Sequence, residues 1–92
     1  MTVTTECPFA FVPLATNNGL LGGIHYAFSF ENGYGASVVR HRYSYGNEAG
    51  LWELAVVRNG AIVYDTPITE DVLGHLDIEA VNEALAQVEA LA

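Results

Sequence analysis

Basic residues are scarce in this sequence, which has no lysine and three arginines among 92 residues, against eleven acidic residues and a net charge of −8. Proteins that bind nucleic acid neutralise its phosphates with several lysine or arginine side chains, so direct binding of DNA or RNA is not expected. Seven of the acids and none of the arginines follow Tyr64. Residues 65–92 therefore carry nearly all of the net negative charge.

Cysteine and long apolar runs are also nearly absent. Cys7 is the only cysteine, so no disulfide can form within the chain, and a reducing compartment fits. No apolar stretch approaches the roughly 18–20 residues of a transmembrane helix, and no basic segment precedes an apolar run after Met1, as it does in a secretory signal. We therefore expect a cytoplasmic protein without a membrane anchor.

The composition is otherwise that of a folded domain, with 51% hydrophobic and 15% charged residues. A chain of this length builds one core and not two, so residues 1–92 are predicted to form a single domain. The order of its patterns predicts an α+β fold. We expect an antiparallel sheet of four to five strands, a hairpin meander, packed against one C-terminal helix.

The first 23 residues are predicted to form an extended arm or edge strand followed by a loop. Residues 7–14 are apolar, but Pro8 and Pro13 lack the N–H that a central strand must donate. Residues 17–23 are rich in asparagine and glycine, which is typical of a loop.

Two hairpins are predicted over residues 24–65. The first turns at Asn32-Gly33, a dipeptide suited to positive φ angles. Apolar and polar residues alternate over 24–30 before the turn, and a return strand is expected over 36–45. A turn of two or four residues would give both strands one aromatic face, because both lengths have the same parity. That face would hold Tyr26, Phe28, Val39, His41, Tyr43 and Tyr45.

The second hairpin is predicted at Asn59-Gly60, with Arg58 opposite Ala61. Both of its faces are apolar: one carries Trp52, Leu54, Val56 and Val63, and the other Ala55, Val57, Ile62 and Tyr64. One helix cannot cover two faces. The second cover is therefore the N-terminal arm, a strongly curled sheet or another subunit, and we expect a homodimer.

The C-terminal helix is predicted over 77–91, with Asp77 as its N-cap and an apolar stripe that includes Val81, Leu85 and Val88. Glu89 in the last turn opposes the helix dipole, which predicts a frayed end. A short helical turn is expected before this helix, over 69–73, with Gly74 as its stop.

No arrangement of residues supports catalysis, a cofactor or a metal. A Ser-His-Asp set, a Cys-His pair or a glycine-rich phosphate loop cannot be assembled, so an enzyme is not predicted. His25, His41 and His75 match no compact metal-ligand spacing, and the first two are expected on opposite faces of the sheet.

Five residues are candidates for protein contacts. Arg40 and Arg42 project from one side of a strand and could bind a phosphate or a partner's carboxylates, or pair with the acidic C-terminal third. Trp52 lies in the doubly apolar hairpin. Glu79 and Glu83 could present carboxylates to a basic protein surface, as a nucleic-acid mimic does, or could form a solvated helix face.

The stretch from His41 to Leu76 contains the short sequences YSYG, GLWELAV and YDTPIT. Over about two fifths of the chain it resembles small uncharacterised accessory proteins of tailed bacteriophages that infect actinobacteria. The resemblance implies an accessory product made in the cytoplasm of an infected host cell. It carries no catalytic or binding residues with it.

We therefore predict a non-enzymatic protein that acts by binding a host or phage protein. One alternative is a structural or assembly component that associates only with itself. The other is a small ligand-binding module or enzyme with a site near His41, Tyr43 and Trp52.

Overall fold

The computed structural model describes residues 7–20, 23–41, 49–63, 66 and 72–91. Within these residues, the strands of a six-stranded antiparallel sheet and one helix follow each other in the order β1 (Ala15–Leu20), β2 (Gly23–Ser29), β3 (Tyr34–Arg40), β4 (Trp52–Arg58), β5 (Ala61–Ile62), β6 (Leu73–Leu76) and α1 (Ile78–Glu89). The predicted α+β fold is confirmed. Within the described ranges, no helix has the length and apolar character needed to cross a membrane.

Strands β1 to β4 are neighbours in chain order, each antiparallel to the next. The far side of β4 is shared by two short strands: β5 pairs at Val57 and Arg58, and β6 at Trp52 and Leu54. The expected meander is thus extended by β6, which brings the chain back to the start of β4 immediately before α1.

The prediction of a loop at Asn17 to Gly19 is wrong, because these residues belong to the edge strand β1. Asn17 lies opposite His25, and the register shifts between Asn18 and Leu20. An edge strand needs only backbone hydrogen bonds along one side, so polar residues and a bulge are tolerated there.

The first hairpin is present, but its turn has three residues, whereas two or four were expected from the sequence. Glu31, Asn32 and Gly33 form a three-residue loop between Phe30 and Tyr34, closed by a 2.9 Å bond from the N–H of Phe30 to the carbonyl of Tyr34. Gly33 takes a φ of 89°, which suits the last position of such a loop. An odd loop length reverses which residues of β3 face the core.

The reversed parity overturns the predicted aromatic face. Tyr26 pairs with Val38, and Phe28 pairs with Ala36, so these small side chains face the core from β3. Val39, which was expected there, lies opposite His25 on the other side of the sheet. Tyr43 and Tyr45 lie outside the described residues.

The second hairpin agrees with prediction. Arg58 lies opposite Ala61 and Val57 opposite Ile62. Asn59 and Gly60 have φ values of 55° and 81°, the two positive angles of a type I′ turn. Trp52, Leu54 and Val56 are buried on the helix side as a set, as their alternation predicts.

The core lies between this side of the sheet and α1. It is completed by Phe9, whose ring meets those of Tyr26, Phe28 and Trp52 with centroids 5.0–6.2 Å apart. Edge-to-face rings at this spacing attract beyond their area of contact. Phe9 therefore lies on the helix side of the sheet. The alternative in which the N-terminal arm covers the second face of the Asn59-Gly60 hairpin is wrong for this residue.

The opposite side of the sheet is called here the helix-free face. The described residues on it are mostly small or apolar: His25, Ala27, Ser37, Val39, Glu53, Ala55 and Val57. Ala55 is buried, and Val39 and Val57 are half-buried.

Both ends of α1 are satisfied by side chains. At the N-terminus, Asp77 Oδ1 accepts a 2.8 Å hydrogen bond from the N–H of Ala80, as predicted. At the C-terminus, the amide of Asn32 donates to the carbonyls of Val88, Glu89 and Leu91 at 2.9–3.0 Å. The predicted fraying was based on the charge of Glu89 alone and did not include these hydrogen bonds from Asn32.

The segment before α1 differs from prediction. Leu73 and Gly74, the expected end of a short helical turn, lie in strand β6. Residues 69–71 of that predicted turn lie outside the described residues, and Val72 is described but is not helical. Pairing with β4 supplies backbone partners that an isolated helical turn of this length would lack.

Candidate functional site

A cleft opens on the helix side of the sheet, where the N-terminal end of α1 meets β2, β3 and β4. Its volume is about 370 Å³. Tyr26 and Trp52 form aromatic surface within it, and Arg40 and Asp77 provide its charged groups. Its apolar walls come from residues of four separate segments: Pro8, Ile24, Leu51 and Ile78. We call it the Trp52 cleft.

Arg40 is held in place by two contacts. Its guanidinium carbon lies 4.5 Å from the centroid of the Trp52 ring, and Nη1 donates a 3.1 Å hydrogen bond to the carbonyl of Gly50. A guanidinium stacked on an indole keeps its N–H groups in a plane that remains open to acceptors. Arg40 is therefore a positioned cation at the edge of an apolar surface.

Trp52, predicted as a contact residue, is only 3% exposed. Its ring packs against Phe9 at 5.0 Å and Tyr26 at 5.7 Å between centroids. A partner can therefore reach this side chain only through the cleft, and most of the energy of its burial stabilises the fold.

Among the described residues that line the cleft, Asp77 is the acidic one. One of its oxygens already accepts from Ala80, and it lies at the positive end of the α1 dipole. Both interactions stabilise the carboxylate at the helix N-terminus. Asp77 serves first as a cap.

Glu79 and Glu83, the two predicted helix contacts, are both exposed. Glu79 directly follows Ile78, which lines the cleft, and Glu83 is one helical turn further on. Glu79 is thus the neighbour in sequence of a cleft residue, and it shares an exposed face of α1 with Glu83. Arg42 lies outside the described residues.

Arg58 is the other described arginine, and it is stacked like Arg40. Its guanidinium carbon lies 4.9 Å from the centroid of the Tyr34 ring, and Nη1 donates to the Tyr34 hydroxyl at 3.3 Å. Both described arginines thus make their contacts within or beside the sheet. None of these contacts is with a carboxylate of α1.

The histidines correct a further prediction. His25 pairs with Val39 across β2 and β3, so His41, two residues later, follows on the same side. The pKa of His25 is lowered by burial and, to a smaller extent, by the charge of the neighbouring His41. This interaction agrees with the two histidines lying on the same face of the sheet, and the prediction of opposite faces is wrong. His75 is exposed in β6.

Ser37 is a residue that sequence reasoning missed. Its Oγ lies 2.9 Å from Nε2 of His25 on the helix-free face. The contact could be foreseen only from the register of β2 on β3, which an even-numbered turn gets wrong. A serine bonded to a histidine is one part of a nucleophilic site, but catalysis also needs donors placed for an oxyanion.

Metal ligation finds no support in the described part of the chain, where no three His, Cys, Asp or Glu side chains are grouped to hold an ion.

Comparison with known proteins returns no matching family model, no matching curated protein and no matching solved structure. The resemblance to phage accessory proteins therefore stays a prediction.

Proposed function

We propose that this chain is a non-enzymatic protein-binding module, acting on a host or phage protein in the cytoplasm of an infected cell. The partner docks on the side of the molecule formed by the Trp52 cleft and the acidic face of α1. The observation that carries the proposal is the position of an open apolar cleft directly beside a helical turn with exposed carboxylates.

The apolar part of this surface has the character of an interface centre. Ile78 is 44% exposed although it lines the cleft, and Ile24 and Leu51 are half-buried. Binding energy at protein interfaces concentrates where an apolar or aromatic side chain fills a pocket that a polar rim protects from water. The cleft offers such a pocket to one side chain of a partner.

The charged part favours a basic partner. Glu79 and Glu83 are one turn apart on the same side of α1, so their charges repel each other in the free protein. A partner's lysine or arginine would relieve that repulsion and speed association, and added salt would weaken the effect.

The first experiment compares two charge-matched variants. Glu79→Gln/Glu83→Gln removes the proposed contacts, and Glu31→Gln/Glu89→Gln removes two exposed charges at the other end of α1. Chemical cross-linking in host lysate at low salt should recover a partner with the wild type and the control pair. Recovery should fall several-fold with the first pair, in parallel with the effect of added salt.

The second experiment addresses the cleft. Ile78→Glu places a charge at its mouth but leaves the helix intact, because an acidic residue is favoured in the first turn. Recovery of the partner should drop at least about tenfold, the equivalent of 1.4 kcal/mol. Equal recovery by all four proteins would refute docking at this surface.

Self-association is the second candidate function, and the helix-free face favours it. Leu14 is 76% exposed and Ile62 43% exposed. A groove of about 380 Å³ lies in this region, with Leu14, Ala27 and Val57 among its lining. Packing this face on a second copy would form a two-sheet sandwich and a homodimer.

Light scattering and sedimentation test the dimer directly. The wild type should dimerise, and Leu14→Lys/Ile62→Lys should be monomeric with unchanged circular dichroism. A wild type that stays monomeric at high concentration would remove self-association from consideration.

A further inference from the structure

We infer that the Trp52 cleft recognises the C-terminal residue of a partner polypeptide, with its α-carboxylate paired to Arg40 and its apolar side chain against Trp52, Ile24 and Ile78. The inference rests on the proposed docking surface and specifies the part of the partner that enters it.

Arg40 has the geometry of a carboxylate receptor. Its guanidinium carbon lies 4.5 Å from the centroid of the Trp52 ring and Nη1 is bonded to the carbonyl of Gly50, so two contacts restrain the group. The Gly50 bond uses one of several N–H donors, and those that remain match the two oxygens of a carboxylate. Because the guanidinium is already ordered, little side-chain entropy is lost when the carboxylate binds.

The cleft is suited to one apolar side chain. Its volume of about 370 Å³ is near the lower end for ligand sites. Small molecules are usually enclosed over most of their surface, but Ile78 at this cleft remains 44% exposed and Leu51 half-buried. A shallow site is better matched to the end of a longer chain, whose preceding residues make further contacts outside it.

Two features disfavour the binding of a carboxylate in the cleft: the negative charge of Asp77 and the net negative charge of the chain. One oxygen of Asp77 is bonded to the N–H of Ala80 at the positive end of α1. The net charge of −8 repels anions in general. Basic residues before the partner's terminus would offset it by pairing with Glu79 and Glu83. The partner's tail is therefore basic, with an apolar last residue.

The test uses three probes: acetyl-Lys-Lys-Ala-Leu with a free carboxylate, the same peptide as its C-terminal amide, and 4-methylpentanoate. Trp52 is the only tryptophan, so its fluorescence reports directly on the cleft. The free peptide should bind with a change in emission. The amide should bind at least about tenfold more weakly, because a charge-assisted hydrogen bond is lost. The small acid should bind more weakly than the free peptide.

Matched arginine variants locate the carboxylate. Arg40→Gln should remove the difference between free and amidated peptide. Arg58→Gln, which loses the other stacked guanidinium, should preserve it. Circular dichroism checks that both variants fold, and the comparison of the two peptides on the wild type needs no variant.

Three results would overturn the inference: equal binding of free and amidated peptide, binding of neither, or binding of 4-methylpentanoate as strong as that of the free peptide. The last would make the cleft a site for small acids. If any of these occurred while Glu79→Gln/Glu83→Gln still reduced partner recovery, the docking surface would stand without this mode of recognition.

Discussion

The side-chain amide of Asn32 joins the β2–β3 turn to the last turn of α1, and its replacement tests how much that link stabilises the fold. Nδ2 lies 2.9, 3.0 and 2.9 Å from the carbonyl oxygens of Val88, Glu89 and Leu91. Oδ1 accepts from the N–H of Tyr34 at 3.0 Å. Because an amide nitrogen has two hydrogens, at most two of the three carbonyls are fully bonded at once.

The expected loss follows from this geometry. A net hydrogen bond contributes about 0.5–1.5 kcal/mol, so Asn32→Ala, which loses two donated bonds and one accepted bond, should lower the free energy of unfolding by about 2–4 kcal/mol. Asn32→Asp keeps an acceptor for Tyr34 but puts a negative charge at the negative end of the helix dipole, which adds about 0.3–1 kcal/mol to the lost donors. That added penalty should shrink below about pH 4, where a carboxyl is protonated.

Urea unfolding monitored by Trp52 fluorescence and circular dichroism measures the loss. With a slope of about 1–2 kcal/mol per molar urea, the midpoint for Asn32→Ala should fall by at least about 1 M. Gln87→Ala, which removes an exposed amide from the same helix, is the control and should stay within about 0.5 kcal/mol of wild type. A midpoint for Asn32→Ala no lower than that of the control would refute the reasoning.

Three other changes test separate features. Asp77→Ala removes the acceptor for the N–H of Ala80 and should lower the free energy of unfolding in urea by about 1 kcal/mol; no loss would mean that solvent caps α1 equally well. Gly60→Ala forces a side chain onto a φ of 81° and should cost about 1 kcal/mol or more, seen as a Tm lower by about 5 °C. The pKa of His25 is lowered from 6.5 by burial and then by His41, so the unfolded chain takes up this proton first as the pH falls. Stability should therefore decrease below about pH 6.5, and His25→Gln should reduce that decrease; identical pH profiles of Tm would contradict it.

The two hairpins show how far local sequence determines structure. At Asn59-Gly60 the dipeptide itself occupies both positive-φ positions, so turn, register and buried face all follow from it. At Asn32-Gly33 the same dipeptide occupies the last two positions of a three-residue loop. The choice between loop lengths depends on which β3 residues pack under α1. The energy of that packing comes from tertiary contacts and cannot be read from the turn sequence.

The N-terminal region and the helix end depended still more on distant contacts. Strand β1 is polar and forms by pairing with β2, so its composition resembles a loop. Phe9 was predicted in an arm, but no local pattern indicates that its ring completes the aromatic core. Asn32 reaches carbonyls more than fifty residues away, a contact that helix propensity and charge near the terminus do not predict.

The odd-numbered turn also determines where the candidate site lies. Because three residues separate Phe30 from Tyr34, Arg40 points to the helix side and stacks on Trp52, and His41 follows on the other side near His25. A two- or four-residue turn would exchange the two, leaving an imidazole at the cleft and the guanidinium on the helix-free face. An imidazole lacks the planar fork of N–H donors that a guanidinium presents, so it could not replace the carboxylate receptor proposed here. The chemistry of the cleft is therefore a consequence of loop length, since the identity of residue 40 alone would not place a cation there.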